Sequence, residues 1–183
     1  MSDLKPHAGP QDHHQGNLNA PLVLVEYGDF QCPYCSIAHA LVKRLQHRFG
    51  DRFCFVFRQF PLRQLHPHAQ RAAELSEAAG SQGLFWPMYD LLFEHQKQLD
   101  DQSLVAYAEK AGLDRDTIRD AFEGEFAHIV ETDLESGIES GVEGTPRFFI
   151  NDFHYEGDTD FESMSAVLED ILSSQRPGYD RAG

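Results

Sequence analysis

Two continuous apolar runs flank a helical stripe near the start of the chain, and that order leaves few folds open. The first run, PLVLVEY at 21–27, and the second, RFCFVFRQF at 52–60, lack the in-and-out alternation of a half-exposed strand. Both predict strands buried on both faces of a sheet. Between them Ile37, Leu41, Leu45 and Phe49 recur every four residues with Ala38 and Val42 alongside, and Gly50 stops the stripe. The result is a strand, helix, strand unit in an α/β protein.

The next eighty or so residues read as helices. They are Pro67 to Ala79, Leu84 to His95, Ser103 to Ala111, a short one capped by Asp114 through Phe122, and Phe126 to Ser140. Strand character returns at Arg147 to Ile150, and Asn151 and Asp152 mark a turn into a short partner strand at Phe153 to Glu156. Thr159 and Glu162 have the spacing of a capping box opening a last helix, with Phe161, Met164, Leu168 and Ile171 on one face. The expected order is βαβ, a helical insertion over about 63–142, then ββα. Residues 1–17 and 175–183 are polar or rich in Gly and Pro, and both ends are expected to be loose around one domain at 18–174.

A chain of 183 residues with 41% hydrophobic residues buries a sizeable core without disulfide staples. Thirty acidic against fifteen basic residues give a net charge of -15, which repels phosphate backbones and anionic membrane surfaces. Nucleic acid and membrane are therefore excluded as partners. The opening MSDLKPHAGPQDHHQGN lacks the basic start and apolar run of a secretory signal, so a cytoplasmic location is expected. In a reducing compartment a close cysteine pair points to catalysis, redox sensing or metal binding rather than a structural staple.

That pair is Cys32 and Cys35, in DFQCPYC at 29–35, where the first strand runs into the helix. Unpaired N–H groups and the macrodipole at a helix start favour an anionic sulfur, so Cys32 is the expected attacking thiolate. Cys35, one turn deeper, is placed to resolve a mixed disulfide formed at Cys32. Pro33 suits the first turn, where a missing N–H costs little, and stiffens the loop that presents Cys32. Two other readings stay open: the cysteines as small core hydrophobes, or as half of a metal site with His66 and His68, whose LHPHA spacing is too close for the usual zinc pattern. Cys54, between Phe53 and Phe55 in mid-strand, reads as a buried inert thiol.

With VEYGDFQCPYC at 25–35, FRQFPL at 57–62, HPHA at 66–69, Phe85 and Trp86, and SGVEGTPRFFIN at 140–151, the chain resembles the thioredoxin superfamily and, within it, the DsbA-like disulfide oxidoreductases. The resemblance implies a thioredoxin fold with the helical block inserted between its βαβ and ββα halves. It implies that Pro146 is a cis-proline facing the cysteine pair, with the Thr145 backbone beside it pairing with an extended substrate strand and Pro33 and Tyr34 also meeting substrate. Glu26, six residues before Cys32, matches a buried acid that takes the proton of Cys35 through a water. The implied activity is thiol-disulfide exchange with protein or small-molecule disulfides, without bound cofactor or metal, and with a redox partner that recycles the pair. The rival is a redox-sensing or metal-binding interaction module built on the same cysteines. The Pro-Tyr dipeptide is shared with glutaredoxins, which are much shorter and lack the insertion. The kappa-type transferases have this architecture but carry serine where Cys32 stands.

Overall fold

The computed structural model describes residues 3–174; the expected loose tail at 175–183 lies outside them. Five strands form one sheet in the order β1-β3-β2-β4-β5: β1 His13–Gln15, β2 Leu22–Gly28, β3 Phe53–Gln59, β4 Arg147–Ile150 and β5 Phe153–His154. Strands β2 and β3 pair in parallel over their whole length, Leu22 opposite Phe53 and Gly28 opposite Gln59, while the remaining pairs are antiparallel. Helix α1 (Pro33–Phe49) makes the crossover that a parallel pair requires. The helical block becomes α2 (Ala69–Ser81), α3 (Phe85–Glu94), α4 (Asp101–Ala111), α5 (Arg115–Phe122) and α6 (Ala127–Glu139), and α7 (Phe161–Ser174) closes the fold.

Side chains alternate across a strand, so the sheet carries two cores. Leu22 and Leu24 of β2, with Phe53, Phe55 and Phe57 of β3, face α1, α3 and α7. Val25 and Tyr27, with Cys54 and Val56, face the opposite side, where Leu4, Phe60, Val142 and Phe149 join them. Glu26 falls in the alternation on the α1 side.

The N-terminal segment corrects the expectation of a loose end at 1–17. Within its described part, His13–Gln15 pairs with the outer edge of β3, and Leu4 is buried. The reason lies in Arg58. This guanidinium sits inside the second core and donates to Asp12 Oδ1 at 2.7 Å and Oδ2 at 3.0 Å, to Tyr27 Oη at 2.9 Å and to the Pro6 carbonyl at 3.1 Å. A buried cation needs such partners, and the segment supplies most of them. His13 adds a ring stacked on Phe85 at 3.6 Å between centroids and a hydrogen bond to Glu77 at 2.7 Å. Gly16 leaves the strand at φ 101, where a Cβ would lie 2.5 Å from the Phe53 carbonyl oxygen.

Two local readings also change. The cap of α7 is Asp160, whose Oδ1 accepts from Ser163 N at 2.9 Å, rather than Thr159 one residue earlier. Asp100 and Asp114 do the same for α4 and α5. Ile37, expected in the core stripe of α1, is 63% exposed, while Ala38, Leu41, Val42, Leu45 and Phe49 are buried.

Removing the carboxylate beside Arg58 leaves a buried charge short of its counter-ion. Asp12→Ala is expected to lower unfolding stability by about 3 kcal/mol, read as a lower urea midpoint with unchanged slope; a midpoint equal to that of the parent chain would show that the pair contributes nothing.

Candidate active site

Strand β2 ends at Gly28, a tight loop follows, and Cys32 stands as the N-cap of α1 with Pro33 as the first helical residue. A Cβ at Gly28 would lie 2.4 Å from the Phe57 ring and 3.1 Å from Glu26 Oε1, so only glycine lets the strand end so close to both. Cys32 N donates to Asp29 O at 3.1 Å, and Cys32 O accepts from Cys35 N at 3.0 Å, which starts the helix. Both thiols are buried, Cys32 at 3% exposure and Cys35 at 0%.

Their ionisation is split. The Cys35 thiol hydrogen-bonds the Cys32 sulfur and, against the opposing effect of burial, helps lower its pKa to about 5, with further help from the Thr145 side chain and from the Cys35 and Tyr34 amides. The amides of the helix start thus contribute, but the Cys35 thiol and the Thr145 side chain come ahead of them. Cys35 goes the other way: burial pushes it well above the usual thiol range, and the Cys32 and Glu26 charges add to this. Cys54 is raised to about 11 by burial, as an inert thiol should be.

Thr145 and Pro146 reach the site from the loop before β4. Their peptide bond is cis, and Thr145 O lies 3.4 Å from Cys32 Sγ. Thr145 Oγ1 is buried without another hydrogen-bond partner. Tyr34, 69% exposed, and the exposed Ile37 line a groove of about 250 Å³ with Ala38, Pro146 and Thr159. Pro33 is exposed at the rim.

Glu26 is fully buried in β2, between Phe57 of β3 and Phe148 of β4, and neither carboxyl oxygen has a hydrogen-bond partner. Burial drives its pKa well above the carboxylate range, and the Cys32 charge pushes the same way. The Tyr89 hydroxyl, likewise buried and unpartnered, feels the Glu26 and Cys35 charges.

Three features of the site have roles that no local sequence pattern gives. Asp29, three residues before Cys32, is buried; its Oδ1 accepts from Gln31 N at 2.7 Å, and its Oδ2 from Leu62 N at 2.8 Å and His66 Nδ1 at 2.7 Å. His68 N donates to Gln31 Oε1 at 2.8 Å. The FPL and HPHA segments thus strap down the loop ahead of the cysteines, and His66 is committed to Asp29 rather than to a metal set. Among the described residues, no three His, Cys, Asp or Glu side chains converge as metal ligands. From the far end of α3, Gln96 Nε2 donates to Phe30 O at 2.9 Å and to Cys32 O at 2.8 Å. The larger cavity of about 620 Å³, between the N-terminal segment and α6, contains neither cysteine of the pair.

Only one of the three thiols ionises readily, so alkylation should be selective. In the reduced native protein, iodoacetamide is expected to label Cys32 with a rate that falls as pH drops through about 5. Peptide mapping should find Cys35 and Cys54 unlabelled at neutral pH, and equal labelling of all three would contradict the split.

Comparison with known proteins agrees with this geometry. The family model described as thioredoxin matches residues 8–170. The fold is that of BdbD from Bacillus subtilis, with TM-score 0.80, 22% identity and coverage of 88% of this chain and 93% of that one. Wolbachia pipientis alpha-DsbA1 has TM-score 0.80 and 20% identity, covering 95% of this chain and 97% of that one. Curated relatives include Na(+)/H(+) antiporters NhaA: NhaA 1 of Salinispora arenicola is 40% identical over 167 residues, 91% of this chain and 26% of that protein. NhaA of Herminiimonas arsenicoxydans is 40% identical over 168 residues, 91% of this chain and 27% of that protein. The chain thus spans about a quarter of the length of these relatives. Matched from residue 8 to residue 170, with the sheet, the inserted helices and the cysteine pair at the head of α1 in place, the chain belongs to the thioredoxin family and has a DsbA-like fold.

Proposed function

We propose that this chain is a thiol-disulfide oxidoreductase that works through Cys32-Pro33-Tyr34-Cys35. The observation that carries the reading is the placement of the pair, Cys32 as the N-cap of α1 beside the cis Thr145-Pro146 loop, 3.4 Å from Thr145 O, and Cys35 buried one turn deeper, an arrangement that lowers the Cys32 pKa to about 5 and raises that of Cys35. One sulfur is then an anion at neutral pH, and its neighbour keeps its proton until needed. Wolbachia pipientis alpha-DsbA2, titled a thiol-disulfide exchange protein, shares the fold with TM-score 0.72 and supports the same class.

In the reductive direction, the Cys32 thiolate attacks one sulfur of a protein or small-molecule disulfide. A Cys32-to-substrate S–S bond forms, the substrate S–S bond breaks, and the displaced thiolate takes a proton from solvent. With Cys32 tied up in the mixed disulfide, its charge no longer raises the Glu26 pKa; Glu26, once ionised, takes the proton of Cys35 through a water as Cys35 attacks Cys32 Sγ. The Cys32–Cys35 disulfide forms, and the second substrate sulfur leaves as a thiolate. Thiol-disulfide exchange with a redox partner returns the pair to the dithiol, and the same steps in reverse oxidise a substrate. Tyr34, Pro33, Thr145 and Pro146 surround Cys32 where a substrate segment would lie. The net direction follows from the reduction potential against the partner couple, and ~30 mV corresponds to 1.4 kcal/mol for two electrons.

Reduction of insulin by dithiothreitol should accelerate in the presence of the protein. Cys32→Ser should abolish the acceleration, and Cys35→Ser should accumulate a mixed disulfide visible by mass spectrometry; full activity in Cys32→Ser would sink the assignment. In the chain that keeps both cysteines, Glu26→Gln should slow resolution of the Cys32 mixed disulfide by Cys35 by roughly 100-fold. The same variant has a stability signature. The folded pKa of Glu26 lies above its unfolded value, so its favourable contribution is complete below the unfolded pKa and disappears as pH rises through the folded one. Glu26→Gln should therefore be more stable than the parent chain at pH 7, by about 1 to 3 kcal/mol, and the gain should shrink toward pH 4.

A further inference from the structure

The backbone from the nucleophile to the donors around its sulfur is short. Between Cys32 Sγ and the N–H of Tyr34 lie χ1 and ψ of Cys32 and then Pro33, whose ring fixes φ and leaves only its ψ, and the helical turn carries the chain on to the N–H of Cys35. Cys32 has ψ 121, and that torsion is set by where its carbonyl oxygen points. The oxygen accepts from Cys35 N at 3.0 Å and Ser36 N at 3.3 Å within the helix, and from Gln96 Nε2 at 2.8 Å outside it. The same amide nitrogen holds Phe30 O at 2.9 Å, two residues upstream, so one side chain pins the loop on both sides of Gln31. Gln96 is held in turn: Phe93, one helical turn earlier, packs its ring 5.0 Å from that of Phe30, and Gln96 N donates to Phe93 O at 3.4 Å.

We propose that Gln96 is a positioning residue for the Cys32 thiolate, a latch by which the inserted helices fix the direction of the Cys32 carbonyl and keep the first-turn amides aimed at its sulfur. This rests on Cys32 being the poised nucleophile. The latch acts through two hydrogen bonds whose only shared donor group is the Gln96 amide, and Pro33 transmits the constraint because its ring leaves the chain no compensating φ rotation.

The test is the absorbance of the reduced protein near 240 nm, which reports thiolate, followed against pH. Cys32 alone ionises in the acid range, because Cys35 and Cys54 are both raised. Gln96→Met, close in size but without donors, is expected to lose roughly fivefold in the thiolate equilibrium. Gln96→Glu, which sets carboxylate oxygens against two carbonyl oxygens, should lose more and guards against a Met variant that fails to fold. Gln98→Met, an exposed glutamine in the same turn, should titrate like the parent chain. Parent and both Gln96 variants sharing one low midpoint would overturn the latch and leave the proposed function standing. A parent chain whose Cys32 ionises like an ordinary thiol would remove the proposed function and the latch together.

Discussion

An anionic sulfur inside a protein is stable only where donors are already aimed at it, and the structure around Cys32 is arranged to meet that condition. Burial alone would raise a thiol pKa, as it does for Cys54. At Cys32 the same burial is overcome by the Cys35 thiol, the Thr145 side chain and two first-turn amides. Those donors come from separate parts of the chain, the head of α1 and the loop before β4. The sheet order brings them together, because β4 pairs with the β2 strand that delivers the cysteines.

The site keeps a second, opposite imbalance. Glu26, the Tyr89 hydroxyl and Cys35 share the α1 side of the sheet, and neither Glu26 nor the Tyr89 hydroxyl has a hydrogen-bond partner. A carboxyl left without donors prefers its neutral form, so Glu26 resists ionisation. Satisfying Glu26 with a fixed cation would stabilise the fold but hold the carboxylate charged and weaken it as a proton acceptor. The unsatisfied group costs stability, and the two large aromatic-rich cores compensate for it.

The parts of the fold legible in the sequence are those whose pattern is local. The runs at 21–27 and 52–60, the stripe on α1 and the aspartate cap at 114 each satisfy their backbone or bury their face within one element. Strand β1 was illegible because His13, His14 and Gln15 have no apolar period; Arg58, far along the chain, makes that segment necessary. Ile37 satisfies the helical spacing as well as Leu41 does, yet it lies one turn too near the helix head, where the site replaces the core. The position of the cysteines at the junction of the first strand and α1 was legible for the same reason, since both flanking patterns are local. The roles of His66 and Gln96 depend on contacts 37 and 64 residues away along the chain, for which no spacing rule exists.

Those long-range contacts give the inserted helices a purpose beyond bulk. The loop from Asp29 to Cys32 has little secondary structure of its own, and a free loop would trade the orientation of its carbonyls for conformational entropy. It is tied from two sides: Leu62 N and His66 close over Asp29 at the entry to the insertion, and Gln96 closes over Phe30 and Cys32 from the connection after α3. Both ties use backbone carbonyls, backbone amides or a buried carboxylate, so they hold the chain path without occupying the groove beside Tyr34 and Pro146. The exposed side chains of that groove, Tyr34 and Ile37, are therefore free of the contacts that fix the path of the chain at Cys32.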